Sequence, residues 1–414
     1  MATLLTRRRG VAGLAGLAGL TGLPGLIGWA RWTMATPHAL GSAAGVLPWL
    51  AGTAPQAAVA DPQADDLPRP GRPLRFPRDF GAHLGTRLEW WYVTGALSLT
   101  AGGPALYGFQ ITFFRTRTAL ADRPLDGASR LRARHLLFAH AALTEVASGR
   151  LLHAERLARW NGLPQDRDAA AIASVEDTHV QIGRWHLRRQ GPPDASVYEG
   201  AWHDDDAGFG MALKLRTTQA LVLQGEAGYS RKSPRPGHAS GYYSQPQMRV
   251  DGQLRLRGRT LSVQGTAWLD HEWSSALLDP EAVGWDWMGL NLDDGGALTV
   301  FRLRRADGTA LWAGGSWRPA GQAVRNFAPH EVQMQPGRSW RSPATDAVYP
   351  VEWTIQTPAG RHQLRALADA QELDNRQRTG TVYWEGISSL HGVDGRRLGM
   401  GYLEMTGYAG RLQL

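Results

Sequence analysis

The sequence predicts an all-β protein built as two tandem β-barrels, and three observations predict it. Apolar runs of strand length recur along the chain with turn residues between them. No amphipathic helix longer than about twelve residues follows the first 60 residues. One opening hairpin pattern and one closing hairpin pattern each occur twice. At 414 residues the chain is long enough for two separate cores. It has no cysteine, which excludes disulfides, thiolate nucleophiles and cysteine metal sites.

Residues 1–60 contain Arg7, Arg8, Arg9 and Arg31 and no acid, with an uncharged stretch from Gly10 to Ala30 and Ala58-Val-Ala60 before Asp61. A basic start, an apolar middle and a small-residue cleavage site are the order of an export signal, so the mature protein is expected to be periplasmic or secreted. Thr6-Arg7-Arg8-Arg9-Gly10-Val11 resembles the twin-arginine export motif without its Phe-Leu pair. The alternatives are an uncleaved membrane anchor and a start assigned too far upstream. Glycine at every third position from Gly10 to Gly28 makes the stretch a weak membrane helix, and that period stops too soon for collagen. The other 354 residues hold 41 bases against 37 acids, a net of +4 that is too balanced for a nucleic-acid-binding surface.

Residues 61–79, rich in Pro, Asp and Arg, read as an extended lead-in. Residues 80–265 then form the N-terminal barrel and 266–414 the C-terminal one, with a soft boundary because the strand ending at Asp270 is able to cross between them. The first barrel opens with a hairpin, 88–99 and 106–114, turned at Ala101-Gly-Gly-Pro104. Similar runs follow near 135–143, 150–158, 178–187, 209–215, 220–226, 242–250 and 261–269, and a second series runs from 284–293 to 399–408. Asp251-Gly252, Asp294-Gly-Gly296 and Asp307-Gly308 supply short turns. The opening Trp91-Tyr-Val-Thr-Gly-Ala-Leu97 returns loosely as Trp287-Met-Gly-Leu-Asn-Leu292, and Gly265-Thr-Ala-Trp-Leu-Asp270 as Gly401-Tyr-Leu-Glu404. With so many strands in each copy, closure into barrels removes exposed edges; a pair of β-sandwiches is the alternative.

Glu89-Trp-Trp-Tyr92, Tyr107-Gly-Phe-Gln110, Phe113-Phe-Arg115, Phe138-Ala-His-Ala141, Tyr242-Tyr-Ser244, Trp268-Leu-Asp-His-Glu-Trp-Ser274, Gly284-Trp-Asp-Trp287 and Gly401-Tyr-Leu-Glu-Met-Thr-Gly-Tyr408 stand in an order that resembles the secreted AttH-like family, related to the carotenoid 1,2-hydratases, or hydroxyneurosporene synthases. The resemblance covers most of the chain from Phe76 to Tyr408. It implies two lipocalin-like barrels, and for the hydratases a cofactor-free addition of water to the terminal double bond of an acyclic carotenoid. Where those hydratases tend to read Asp-His-Asn-Trp-Gly, this chain reads Asp270-His-Glu-Trp-Ser274.

Asp270, His271 and Glu272 are the candidate catalytic residues. On a strand, Asp270 and Glu272 share one face with Trp268, and His271 shares the other with Leu269 and Trp273. Carboxyls beside indoles can part in pKa so that one stays protonated near neutrality, as protonation of an unactivated alkene requires, while aromatic faces stabilise the cation. All three residues serve one pocket only if a bulge breaks the alternation. A salt bridge at a barrel rim, or packing between barrels, would use the same cluster structurally.

Trp91, Gln110, His140, Tyr243, Trp268, Trp273, Trp285 and Trp287 are the candidate ligand-binding residues. Glu89 and Trp91 share one face, where Gln110 is expected to satisfy a buried polar group. His140 reads first as a hydrogen-bonded interior histidine. Histidines 83, 135, 153, 179, 186 and 203 have no ligand spacing, and no metal site is expected. The Gly225–Gly237 segment is not a phosphate loop and is expected to arch over a pocket mouth. Neither a Gly-x-Ser-x-Gly elbow nor a dinucleotide fingerprint occurs.

The leading expectation is an exported, cofactor-free protein whose barrels, or the cleft between them, bind a hydrophobic small molecule such as an isoprenoid or lipid, with transient membrane contact and no nucleic-acid partner. It requires an apolar space of about 300 Å³ or more. The alternative is a hydratase acting on a carbon–carbon double bond of an acyclic isoprenoid.

Overall fold

In a computed structural model of the chain, residues 66–121, 133–162, 170–376 and 380–411 are described. The expected export signal and the first residues of the lead-in lie outside them. The first sheet is built from β1 (Leu88–Ser98), β2 (Tyr107–Arg117), β3 (His135–Glu145), β4 (Arg150–Trp160), β5 (Ala171–Ala173), β6 (His179–Ile182), β7 (Trp185–Gln190), β8 (Val197–Asp204), β9 (Phe209–Arg216), β10 (Val222–Leu223), β11 (Tyr229–Arg231), β12 (Ala239–Leu256) and β13 (Arg259–Ser274). The second contains β14 (Gly284–Leu292), β15 (Ala297–Arg304), β16 (Ala310–Arg318), β17 (Arg325–Phe327) and β18 (Gln333–Pro336), then, beyond the small separate hairpin of β19 (Ser339–Arg341) and β20 (Val348–Pro350), β21 (Glu352–Thr357), β22 (Gly360–Ala366), β23 (Glu372–Asn375), β24 (Thr381–His391) and β25 (Arg397–Thr406).

Both sheets are antiparallel and bring their last strand back to their first: β13 pairs β1, and β25 pairs β14. The first runs β4-β3-β2-β1-β13-β12-β9-β8-β7-β6-β5 and curls into a nearly closed barrel; the second runs β17-β16-β15-β14-β25-β24-β22-β21-β18. The architecture is two tandem lipocalin-like β-barrels. Since β13 stays in the first sheet to Ser274, the passage between barrels follows Ser274 and not residue 265.

Alternation along each strand separates an inner from an outer face. Trp91, Val93, Phe109, Ile111, Leu269 and Trp273 fill the first barrel, and Met288, Val300, Trp353, Trp384 and Leu403 the second. Gly241 faces Trp273 in the register, and a Cβ there would stand 2.2 Å from the indole, so only glycine admits that ring.

An inner ion pair fixes how the two barrels correspond. Glu89 on β1 is the register partner of Arg115 on β2, with Nε to Oε2 2.8 Å; Asp286 on β14 is the partner of Arg302 on β15, with Nε to Oδ2 2.7 Å. Trp287 therefore corresponds to Trp90 and not to Trp91. A one-residue difference in register reverses the face, and Trp91 is accordingly inside the first barrel while Trp287 lies outside the second.

The barrels meet through these outer faces. Tyr92 and Trp268 of the first pack with Trp287, Ile387 and Tyr402 of the second. Gly108 lets them approach: a Cβ there would lie 2.7 Å from the Tyr402 hydroxyl and 2.8 Å from Ile387 Cβ. The Asp294-Gly-Gly296 turn docks as well, since Gln219 Nε2 donates to Gly295 O at 2.7 Å and Gln247 Nε2 to Gly296 O at 2.7 Å.

Candidate functional site

The register of β13 against β1 is unbroken from Leu88↔Ser274 to Ser98↔Gln264, so strict alternation holds through the candidate cluster. Asp270 and Glu272 face the second barrel with Trp268, and His271 faces the interior of the first. The three therefore do not serve one pocket.

The inner side holds a buried polar network. Glu89, 1% exposed, receives His271 Nε2 at 2.9 Å, His83 Nδ1 at 2.9 Å and Arg115 Nε at 2.8 Å. His83 Nε2 reaches Asp79 Oδ1 at 3.0 Å, and Arg115 also holds His83 O at 2.7 Å. Burial acts to raise the Glu89 carboxyl, but Arg115 and the bonds from His271 and His83 hold it well below the usual range. Burial pushes His271 down to about 4, against the pull of Glu89. The neutral ring donates from Nε2 to the carboxylate, which leaves Nδ1 to accept from the Tyr243 hydroxyl at 3.1 Å. Trp91 stacks on His271 with ring centroids 4.7 Å apart, and Trp273 stacks on His83 at 3.6 Å. His271, Trp91, Tyr243 and Trp273 are thus core residues of the first barrel, separate from the cleft.

Among the described residues, His83, Glu89 and His271 offer one ligand atom each within 4.8 Å of one another, the spacing a metal ion would need. Each of those atoms is engaged in the network, and the Arg115 guanidinium holds the other Glu89 oxygen, a poor neighbour for a cation.

The outer side is different. Trp90, Tyr92, Phe114, Trp285, Trp287 and Phe301 wall an apolar cleft of about 80 Å³ between the barrels, with Leu277 and Leu278 from the crossing segment and Ser230 and Lys232 from the glycine-rich segment before β12. Into it project Asp270 and Glu272 from the first barrel and Glu385 and Glu404 from the second. Among the described residues, the one basic side chain in the lining is Lys232, which pairs with Glu272 and lies 4.8 Å above the Trp90 ring.

Asp270 is 3% exposed. Burial pushes its carboxyl up to about 7, even though the Ser244 hydroxyl at 2.5 Å, the Tyr242 hydroxyl at 2.8 Å and Trp268 Nε1 at 2.7 Å all donate to it. Trp287 Nε1 in turn donates to the Tyr242 oxygen at 3.2 Å, so the second barrel helps to set the acid's environment. Burial and Glu404 raise Glu385 well above the ordinary carboxylate range, and burial raises Glu404 too, with added repulsion from Glu272 and Asp270. Asp270, Glu385 and Glu404 are thus all raised toward or past neutrality in this apolar space.

Two other expectations are corrected. Gln110 lies on the outer face, where its Nε2 donates to Thr112 Oγ1 at 2.8 Å, and Arg115 satisfies Glu89 instead. His140 is buried between the barrels, not inside one, with Nδ1 2.7 Å from the Tyr383 hydroxyl, and burial lowers it to about 3. Trp285 and Trp287 line the cleft, and Trp268 orients Asp270 at its wall. The apolar cleft is far below the expected 300 Å³. A larger groove of about 720 Å³ is lined by polar side chains such as Glu155, Asp204 and Arg376, unsuited to an apolar ligand.

Fold and site together define a class: a tandem-barrel protein whose barrels press equivalent outer faces together around an acidic, aromatic cleft. The chain belongs to the AttH-like family, whose model matches residues 67–408. It is similar to the crystal structure of an AttH protein from Nitrosomonas europaea, with 42% identity, a TM-score of 0.73, and coverage of 83% of this chain and 99% of that one. It shares its fold with kievitone hydratase from Nectria haematococca at 14% identity and a TM-score of 0.57, covering 78% of this chain and 89% of that one. No curated protein matches the chain.

Proposed function

We propose that this protein is a cofactor-free hydratase that adds water across a carbon–carbon double bond at the end of an acyclic isoprenoid chain, with Asp270 as the proton donor. The observation that carries this reading is the Asp270 carboxyl, raised to about 7 and held at the wall of an aromatic cleft. A general acid works best when its pKa lies near the operating pH. The alkene π electrons take the Asp270 proton to form a C–H bond, leaving a tertiary cation on the neighbouring carbon. Trp90, Tyr92 and Trp287 present ring faces and edges to it. The carboxylate left behind is stabilised by the donors already in place, Ser244, Tyr242 and Trp268. Water then closes the C–O bond and gives up a proton. The fold shared with a protein named as a hydratase supports the reading, and export, if residues 1–60 direct it as their sequence leads us to expect, would place the substrate outside the cytoplasm.

The narrow cleft favours a chain end over a whole polyene, so the rest of the substrate would lie beyond Leu277, Leu278 and Lys232. This makes catalysis a better reading than carriage, which needs the whole ligand enclosed. The test is to incubate purified protein, without cofactors, with lycopene-like and shorter acyclic polyenes in detergent and to follow oxygen from labelled water. Asp270→Asn should leave the circular dichroism spectrum unchanged and cut turnover by about 10²-fold or more. Equal turnover in both proteins removes Asp270 from the mechanism. Saturable binding without labelled product would favour a carrier.

A further inference from the structure

Glu385 and Glu404 are direct cross-strand partners on β24 and β25, and both line the cleft from the second barrel, facing the acid on the first. Like charges placed directly opposite on a sheet repel, so two such side chains need a compensating reason to be there. Among the described residues no basic side chain lies between them: the only cation in the lining, Lys232, is paired with Glu272. Glu385 is 3% exposed, and the Tyr92 hydroxyl on the same cleft is its polar neighbour, which acts to hold the carboxyl down against burial and Glu404. Buried polar atoms are nearly always satisfied, and two opposed carboxyls that face a common space without a cation between them make a place for a small molecule that can both donate and accept.

We propose that Glu385 and Glu404 form a carboxyl dyad that shares one proton, binds the attacking water and takes its proton as the C–O bond forms. This rests on the hydratase reading above. In the apolar cleft two opposed carboxylates cannot both ionise, so the pair carries one carboxyl and one carboxylate. The carboxyl can donate to the water oxygen and the carboxylate can accept one of its hydrogens. When Asp270 has given its proton to the alkene, a lone pair on the water forms the C–O bond. An O–H bond of that water breaks, and the hydrogen passes to the carboxylate. The dyad then holds two protons and Asp270 none, and return of one proton to Asp270 restores the starting state. The sum is alkene plus water giving the tertiary alcohol, with no other reactant.

The division of labour predicts that the two proton transfers can be separated. In deuterated water, Glu385→Gln and Glu404→Gln should each lower hydration by about 10²-fold. They should still exchange deuterium into recovered alkene, because the Asp270-derived cation can lose a hydron back to Asp270. Asp270→Asn should abolish both hydration and exchange. A second measurement needs no substrate: infrared spectra of the parent near neutral pH should contain a protonated-carboxyl stretch that Glu385→Gln or Glu404→Gln removes and Asp270→Asn leaves in place. If the parent hydrates and both Gln variants hydrate within about threefold of it, the dyad is overturned while the hydratase reading stands. Absence of any infrared band that depends on Glu385 or Glu404 also overturns the dyad. A parent that neither hydrates nor exchanges any of these polyenes overturns both.

Discussion

Asp270 ties stability to pH in a way that can be measured without knowing the substrate. Its carboxyl moves from an ordinary value of 3.8 to about 7 in the folded protein, chiefly through burial. At about 1.4 kcal/mol per pH unit, that distance corresponds to about 4 kcal/mol. The folded value lies above the unfolded one, so the folded state binds the proton more tightly. The stabilisation is complete below about pH 4, is lost as pH rises through about 7, and does not return above that. Asp270→Asn cannot titrate, and comparing one protein with itself at two pH values cancels the fixed cost of placing an amide among three donors. Between about pH 4 and about pH 8, the parent should therefore lose about 4 kcal/mol more unfolding free energy than Asp270→Asn does. Relief of the repulsion between Asp270 and Glu404 works in the same direction, since it lets Glu404 ionise more easily. Urea titrations at the two pH values measure the difference. Parallel pH profiles for the two proteins would refute the argument, because they would mean that Asp270 is ionised in the fold at neutrality.

The inner network and the joint between barrels give two further predictions. Glu89→Gln leaves Arg115, which is fully buried, without its carboxylate, and should cost about 3–5 kcal/mol in urea denaturation. A loss under about 1 kcal/mol, the value of a surface pair, would show that Arg115 finds another partner. Gly108→Val places methyl groups where the Tyr402 hydroxyl and Ile387 already stand, so it should force the barrels apart and raise near-surface tryptophan exposure to acrylamide quenching while far-ultraviolet circular dichroism stays unchanged.

The fold was legible because its signals are local. Period-two alternation in Glu89-Trp-Trp-Tyr92 and in Trp268-Leu-Asp-His-Glu-Trp273 sorts the side chains into two faces, and the strands keep to it. Which face looks inward is a tertiary fact. Glu89 and His271 are as polar as Asp270 and Glu272, and only the arrival of Arg115, His83 and Asp79 from other segments makes the first pair the buried core set. Glu404 was visible in the echo of Gly265-Thr-Ala-Trp-Leu-Asp270 in Gly401-Tyr-Leu-Glu404, which pairs an acid with an acid near the end of each closing strand, whereas no sequence pattern singled out Glu385. The signal that would have assigned Glu404 a role is the matching of Glu89–Arg115 with Asp286–Arg302. Once these are superposed, Trp90 opposite Glu272 becomes equivalent to Trp287 opposite Glu404.

That equivalence also explains why the cleft is acidic at all. A lone barrel with Trp90, Tyr92, Asp270 and Glu272 on its outer face would leave the carboxyls in water, ionised and of ordinary strength. Setting the equivalent face of a second barrel against it removes the water and supplies two more carboxyls, Glu385 and Glu404, to an apolar space with one cation. Burial then raises Asp270, Glu385 and Glu404, and Glu404 is raised further by Asp270 and Glu272 of the opposite barrel. Desolvation and like-charge crowding, the two means of keeping a carboxyl protonated at neutral pH, thus arise from a single packing event between similar units. The chemistry proposed for Asp270 accordingly belongs to the pair of barrels, and anything that loosens their contact, such as Gly108→Val, should lower the Asp270 pKa toward 3.8 before it unfolds either barrel.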